Sequence, residues 1–216
     1  MKFNRETLIR VIILLCGLTI AHLGVTLFLQ TSMGSDPFNV MIQGLFRKLG
    51  ELIKGQWLTH GRVHVAVSLL IVAILLIVDR SYIRIGTLLC MLLGGPIIDM
   101  FSLILSPLEL LSAPLVLRIL TLALGCVILA FGMTIVIKSE AGTGPNDLVS
   151  VVISDKTRLP FGAVRVGVDI IFVLLGWLLG GVVGVGTLIC AFLVGPAAGI
   201  FMPYSEKLVK RFVKQR

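Results

Sequence analysis

Gly17-Leu18-Thr19-Ile20-Ala21-His22-Leu23-Gly24-Val25-Thr26, continued by Gly34-Ser35-Asp36-Pro37, returns 108 positions later. The second copy reads Gly125-Cys126-Val127-Ile128-Leu129-Ala130-Phe131-Gly132-Met133-Thr134, then Gly142-Thr143-Gly144-Pro145. A second recurrence follows at an offset of 100: Gly86-Thr87-Leu88, Cys90, Leu93, Gly95-Pro96 and Phe101 match Gly186-Thr187-Leu188, Cys190, Leu193, Gly195-Pro196 and Phe201. Both recurrences lie in or beside long apolar runs, so the repeated unit is a membrane unit. Duplication of such a unit sets a pseudo-symmetry axis through the molecule, and many transporters bind substrate at that interface. The expected fold is an all-α polytopic membrane protein of two tandem repeats, residues 1–106 and 107–216. Each holds one long span, one short half-helix and two further spans.

Composition supports lipid as the main solvent. The chain is 57% hydrophobic and 14% charged, against roughly 45–50% and about 25% in soluble domains. Mean hydropathy is +1.07. Apolar runs at Val11–Leu29, Val63–Val78, Ile85–Leu105, Leu115–Ile137, Val166–Val185 and Gly186–Met202 approach the roughly 20 residues that cross a bilayer.

A net charge of +8 raises the question of nucleic acid, but its distribution argues against that partner. Basic residues gather at helix ends and termini, most densely at Lys207, Lys210, Arg211, Lys214 and Arg216, as membrane topology and anionic headgroups require. The start (Lys2, Arg5, Arg10, then an apolar run) imitates a secretory signal. The run is long, lacks a clear small-x-small site and matches the segment at Gly125, so it reads as a retained first span. Cys16, Cys90, Cys126 and Cys190 lie in apolar runs without a CxxC pair and read as reduced packing residues. No metal site and no cofactor are expected.

The spans fall at about 9–30, 61–79, 83–105, 114–137, 162–180 and 183–204, with short segments at about 37–49 and 145–156. A middle alignment of Gly61, Val63, Val65, Val67 and Val72 onto Gly162, Val164, Val166, Val168 and Val173 has an offset of 101, leaving about seven extra residues near Gly50–Leu58. Loop charge tests whether the short segments cross. If they do, eight helices cross and 16 Lys/Arg lie inside, against Arg80, Arg84 and Lys138 outside. If they do not, six cross, the split is 14 to 5, and the halves are inverted. Charge favours eight crossings modestly. Length favours a half-helix that starts within the membrane and exits at the cytoplasmic face, because about 12 residues span only about 18 Å. Both schemes place both termini in the cytoplasm.

The short segments carry the candidate site. Gly34-Ser35-Asp36-Pro37 and Gly142-Thr143-Gly144-Pro145 place proline at a helix start, where its missing N–H costs nothing. Asn39, Asn146 and Asp147 add polar groups in the first turn. A helix start exposes N–H groups and about half a positive charge, which inside a bilayer need protein, water or substrate as partners. Gly34, Asp36, Pro37, Asn39, Gly142, Pro145, Asn146 and Asp147 are the expected substrate contacts. Asp36 and Asp147 can themselves occupy the positive ends, or bind a cation. Ionisable groups within spans are costly and often functional, which singles out Arg165 and Asp169, spaced as an i,i+4 pair, and Asp99 near a cytoplasmic helix end. These are assigned to coupling or gating. The repeat mates of Arg165 and Asp169 are His64 and Ser68. His22 reads as a packed, hydrogen-bonded histidine. Gly95-Pro96 and Gly195-Pro196 are expected to kink the last span of each half. The chain has no HExxH, GxSxG, P-loop or Cys/His cluster, so nothing points to an enzyme.

The run Gly24…Gly34-Ser35-Asp36-Pro37-Phe38-Asn39-Val40…Gly44, with Gly86-Thr87-Leu88-Leu89-Cys90…Gly95-Pro96-Ile97-Ile98-Asp99, resembles the YczE-like bacterial integral membrane proteins, related to the broader YitT group. Phe38 and Asn39 stand where that family usually has Trp and Asp, and Cys90 where Asn is usual. The resemblance implies a bacterial inner-membrane location and a helical membrane fold, not a substrate. Together these readings give a small multi-pass transporter or permease of an unidentified small molecule or ion, set in the lipid bilayer. A homo-oligomer remains open. The alternative is a non-transporting regulatory or partner-binding factor that uses the basic tail.

Overall fold

The computed structural model describes residues 5–53 and 58–214. Lys2, Arg216 and part of the expected insertion at Gly50–Leu58 lie outside them. Eight α-helices follow in order: α1 (Arg5–Gln30), α2 (Pro37–Ile53), α3 (His60–Asp79), α4 (Ile85–Leu105), α5 (Leu115–Lys138), α6 (Pro145–Thr157), α7 (Phe161–Leu178) and α8 (Val185–Lys214). Short 3₁₀ turns follow α3 and α4 at Arg80–Tyr82 and Ser106–Leu108. Six helices (α1, α3, α4, α5, α7, α8) are long and apolar enough to span a membrane. At 1.5 Å per residue, α2 and α6 reach only about 25 and 20 Å, short of the roughly 30 Å hydrocarbon core.

The centre is the crossing of α1 and α5. Their backbones touch where glycines remove the side chains. A Cβ on Gly24 would lie 2.4 Å from the Leu129 nitrogen, and one on Gly132 would lie 2.2 Å from the Ala21 nitrogen. Gly17 faces Ile135 and the Gly132 carbonyl, while Gly125 faces the Gly24 carbonyl and the Phe28 nitrogen. Early residues of α1 thus meet late residues of α5, and the two run antiparallel. Lipid tails supply no hydrophobic drive between spans, so close approach at small residues supplies dispersion energy instead. This direction settles the crossing count. Eight crossings would make α1 and α5 parallel; six make them antiparallel. The charge argument for eight crossings fails because it weighed a net difference of only two basic residues, 16 inside against 14, against helix length.

Contacts around this crossing occur in related pairs. Arg118 donates from Nε (3.0 Å) and Nη2 (2.6 Å) to the Thr31 carbonyl just past α1. Arg10, 108 positions earlier, donates to the Ser139 carbonyl just past α5 at 3.1 Å. Each guanidinium satisfies a helix C-terminus, where carbonyls lack partners and the dipole is negative. Beyond them, Ser32 and Glu140 both adopt left-handed φ (49° and 56°), as do Gly34 and Gly142 (146° and 130°). The loops then dock on the starts of other spans: Gly186 N–H donates to the Met33 carbonyl at 2.9 Å, and Gly86 N–H donates to the Ala141 carbonyl at 2.8 Å.

The remaining packing sorts into layers. Phe28, Leu122, Cys126, Ala130, Met133, Cys190, Val194 and Ala198 form a core between α1, α5 and α8. Phe38, Ile42, Val63, Val164, Val168 and Phe172 join α2 to α3 and α7. Outward faces of α3 and α4 expose Leu69, Ile77, Leu92 and Leu103, as lipid contact allows. Pro96 and Pro203 and Pro196 lie inside continuous helices, α4 for the first and α8 for the others, so the Gly-Pro pairs do not break their spans.

The start of α1, the end of α5 and the late part of α8 share one face: Arg10 pairs with Glu140 at 2.8 Å, and Lys138 with Glu206 at 2.8 Å. The described ends of the chain, the first turns of α1 and the last turns of α8, therefore lie toward that face, called the termini face below. One expectation is corrected here. The short helices do not exit on the same side: α6 lies toward the termini face, with Lys156 near Asp79. In contrast, α2 lies toward the opposite face, where Arg47 and Gln43 bond the Gly180 carbonyl and Val182 N–H of the α7–α8 loop. Inversion of the chain direction, unseen in residue identity, is the reason.

Replacing Gly132 or Gly24 with alanine should lower the melting temperature in detergent, because an added methyl forces two backbones apart at a cost of about 1–3 kcal/mol. Gly95→Ala should be neutral or stabilising, since nothing described lies within 4 Å of its Cβ direction and alanine favours a helix. Equal losses at Gly95 and Gly132 would contradict the crossing as the close contact.

Candidate functional site

Proline starts α6 at Pro145, and Gly144 at its N-cap contributes no side-chain bond. That leaves the first-turn side chains to occupy the positive helix end. Asp147 does so while reaching α7. Its Oδ1 accepts from Arg165 Nη1 at 2.5 Å and from Asn146 Nδ2 at 3.1 Å. One turn further along α7, Asp169 Oδ2 accepts from Arg165 Nε at 2.9 Å. Arg165 therefore bridges two carboxylates, and its Nη1 also lies 3.7 Å from Met133 Sδ. Arg165 and Asp169 are buried; the Asp147 side chain is 19% exposed. The guanidinium suits this place because its rigid fork serves two acceptors at once. Asp169 Oδ1 has no hydrogen-bond partner among the described residues.

The start of α2 is closed differently. Asp36 Oδ1 accepts from the Asn39 backbone N–H at 3.2 Å, and its Oδ2 from Asn39 Nδ2 at 2.5 Å. This is N-capping. Phe38 packs edge-on against His64 at 5.3 Å between centroids and against Phe172 at 5.4 Å. Phe38 shares a buried cluster with Val168 and Phe172, so the start of α2 packs against the part of α7 that carries Asp169.

The loops before these helices are equivalent in backbone but not in bonding. Thr187 donates to the Ser35 carbonyl at 2.7 Å. Its counterpart Thr87 is fully buried with no hydroxyl partner among the described residues, and Thr143 and Ser150 share that state. Buried hydroxyls without partners are rare enough to need an explanation. A cavity of about 500 Å³ reaches Gly142 and Thr143, passing Tyr82, Arg84, Lys138, Glu140 and Asp155 on the termini face.

Of the expected site residues, Asn146, Asp147, Arg165 and Asp169 form one connected cluster, and Asp36 with Asn39 caps α2 beside it. Pro37 and Pro145 are buried helix starts. Gly34 and Gly142 serve loop docking: a Cβ there would press on Thr187 and Thr87. Asp99 is exposed on α4, toward the face opposite the termini rather than the same one. His22 holds the Leu18 carbonyl at 2.7 Å through Nδ1, with Nε2 facing Gly94. Among the described residues, no three His, Cys, Asp or Glu side chains are placed to hold a metal ion, and the cysteines are free. Sequence reasoning missed Thr87 and Thr143 as polar groups of the site, and Arg10 and Arg118 as latches. The 108-residue offset shared by the two arginines was the available signal.

A family of unknown function (DUF6198) matches residues 8–203, and the chain belongs to that family. It is similar to the uncharacterized membrane protein YczE of Bacillus subtilis strain 168, 29% identical over 99% of this chain and 94% of the relative. It also resembles the uncharacterized protein YyaS of the same organism, 26% identical over 88% of this chain and 91% of the relative. An uncharacterized protein of Haemophilus influenzae is 28% identical, covering 91% and 84%. No solved structure matches. The six apolar helices, together with similarity over nearly the whole chain to a relative named as a membrane protein, make this a membrane protein.

Arg165→Gln strands two carboxylates, and should destabilise by about 3–5 kcal/mol as broken buried pairs do. Asp147→Asn, at the partly exposed arm, should cost less. Thermal unfolding in detergent checks the order, and the double variant Arg165→Gln/Asp169→Asn should recover stability relative to Arg165→Gln.

Proposed function

We propose that this protein is a small-solute transporter or permease of the bacterial plasma membrane, with both termini cytoplasmic and two inverted repeats, residues 1–106 and 107–216. Substrate meets the starts of α2 and α6. Asp147, Asn146 and the Asp36–Asn39 pair line its path, and Arg165 with Asp169 couples occupancy to helix position. One observation carries this reading: an Asp147–Arg165–Asp169 chain, buried at Arg165 and Asp169, sits at a short-helix start with an Asp169 oxygen unpartnered among the described residues. Such groups inside membranes are expensive and are typically retained for ion or substrate pathways. The cavity on the termini face, with Gly142 and Thr143 in its lining, supports a water-filled approach from that side. Asp99 has no part in this pathway. With no ATP-binding signature in the sequence, a solute or ion gradient drives uphill movement. The excess of basic residues on the termini face supports the orientation.

Two measurements test the proposal. Flux of candidate solutes into proteoliposomes should fall by about tenfold or more in Asp147→Asn and Asp169→Asn, since losing one charged partner is worth upwards of 1.4 kcal/mol. In a cysteine-free background, Thr143→Cys should react with an impermeant maleimide from the cytoplasmic side. A protein that moves nothing, keeps Thr143→Cys unlabelled, and instead captures a cytoplasmic protein through its basic tail would be a partner-binding factor.

A further inference from the structure

We infer that the last turns of α8 are a docking surface for anionic phospholipid, held through Tyr204, Leu208 and Phe212 and through Lys207 and Arg211. The helix is longer than a span requires. Its 30 residues reach about 45 Å, against a hydrocarbon core of roughly 30 Å. The neighbouring α5 marks where that core ends. The Thr134 and Ser205 hydroxyls lie 2.7 Å apart, and Lys138, the last residue of α5, meets Glu206 at 2.8 Å. From Lys207 to Lys214, α8 continues past the end of α5 for about 12 Å. This extension has three sectors. Ser205 and Val209 are buried. Tyr204, Leu208 and Phe212, spaced by four along one face, are 63%, 41% and 56% exposed. Lys207, Lys210 and Arg211 are exposed beside that strip. Helices that lie at a membrane surface divide their faces in this way.

Two observations name lipid as the occupant. The first is continuity. Leu188, Phe192 and Ile200, on the lipid-facing side of α8, are exposed at multiples of the same four-residue step, and Tyr204, Leu208 and Phe212 extend their line. Acyl chains follow an over-long apolar strip when the helix tilts or the bilayer thickens locally. Tyr204 suits the boundary between hydrocarbon and headgroups. The second is charge. Residues 203–214 carry Lys207, Lys210, Arg211 and Lys214 against Glu206. Glu206 is taken by Lys138 at 2.8 Å and Lys210 at 2.5 Å. Lys207 and Arg211 have no carboxylate partner among the described residues, and headgroup phosphate supplies one. A soluble partner would account for the basic sector but not for the unbroken apolar line out of the bilayer. The assignment stands whether or not the protein moves a solute.

Collisional accessibility of a nitroxide at Leu208→Cys or Phe212→Cys tests this, in full-length protein otherwise free of cysteine. The protein is held in nanodiscs of phosphatidylcholine, with or without phosphatidylglycerol. With phosphatidylglycerol, both labels should be open to oxygen and shielded from a water-soluble nickel chelate; in phosphatidylcholine alone the shielding should weaken. The phosphatidylglycerol fraction that gives half the shielding should rise severalfold in Lys207→Gln/Arg211→Gln, whose changes lie on an exposed face. Glu51→Gln, exposed on α2, should leave it unchanged. Labels open to the nickel chelate in both discs would overturn the inference. So would equal shielding in both, an unchanged titration in the double variant, or shielding that needs an added soluble protein or a higher concentration of this one.

Discussion

Everything in this molecule hangs on two glycine-lined helices touching backbone to backbone. At the α1–α5 crossing, Gly17, Gly24, Gly125 and Gly132 bring carbonyls and amides of opposite strands of the bundle into direct contact. Such proximity fixes the antiparallel relation, and with it the crossing count and the placement of α2 and α6 toward opposite faces. It also fixes the reach of Arg10 and Arg118. Each arginine spans from the start of one central helix to the carbonyl just beyond the end of the other. Separate the helices by one methyl at Gly132 and those reaches lengthen.

Around this rigid centre the polar groups are distributed unevenly. One short helix, α2, is closed by its own Asp36 and Asn39. The other, α6, hands its Asp147 to a guanidinium on α7. The first arrangement is local and could form as soon as the turn forms. The second is long-range and needs α6 and α7 docked. A buried ion pair gains little net stability over apolar packing, so its cost is more naturally connected with selectivity or movement than with holding the fold.

Much of this was legible from residue types. Apolar runs located the first five spans to within a few residues, while α8 runs ten residues past its expected end near 204 to Lys214, and the recurring glycine and proline punctuation located both short helices. Spacing alone paired Arg165 with Asp169. What residue types could not carry was direction. Inversion leaves composition unchanged, so loop charge was the only available gauge, and it differed by too little. Asp147 was recognised as a helix-start residue, but its bond to Arg165 joins positions 18 apart across a turn whose path depends on Arg158 adopting a left-handed φ of 60°. Asp99 was placed at the wrong face for the same directional reason.

The two threonines that begin α4 and α8 carry a final consequence. Thr187 is quenched by the Ser35 carbonyl, so the seam between the α1–α2 loop and α8 satisfies its own hydroxyl. Thr87, in the matching seam, has an unspent hydroxyl. A solvent molecule wedging into the first seam must break a bond to gain one; in the second it gains one outright. Wetting of the interior is therefore easier from the side that carries both chain ends, and that bias is written into a single missing hydrogen bond.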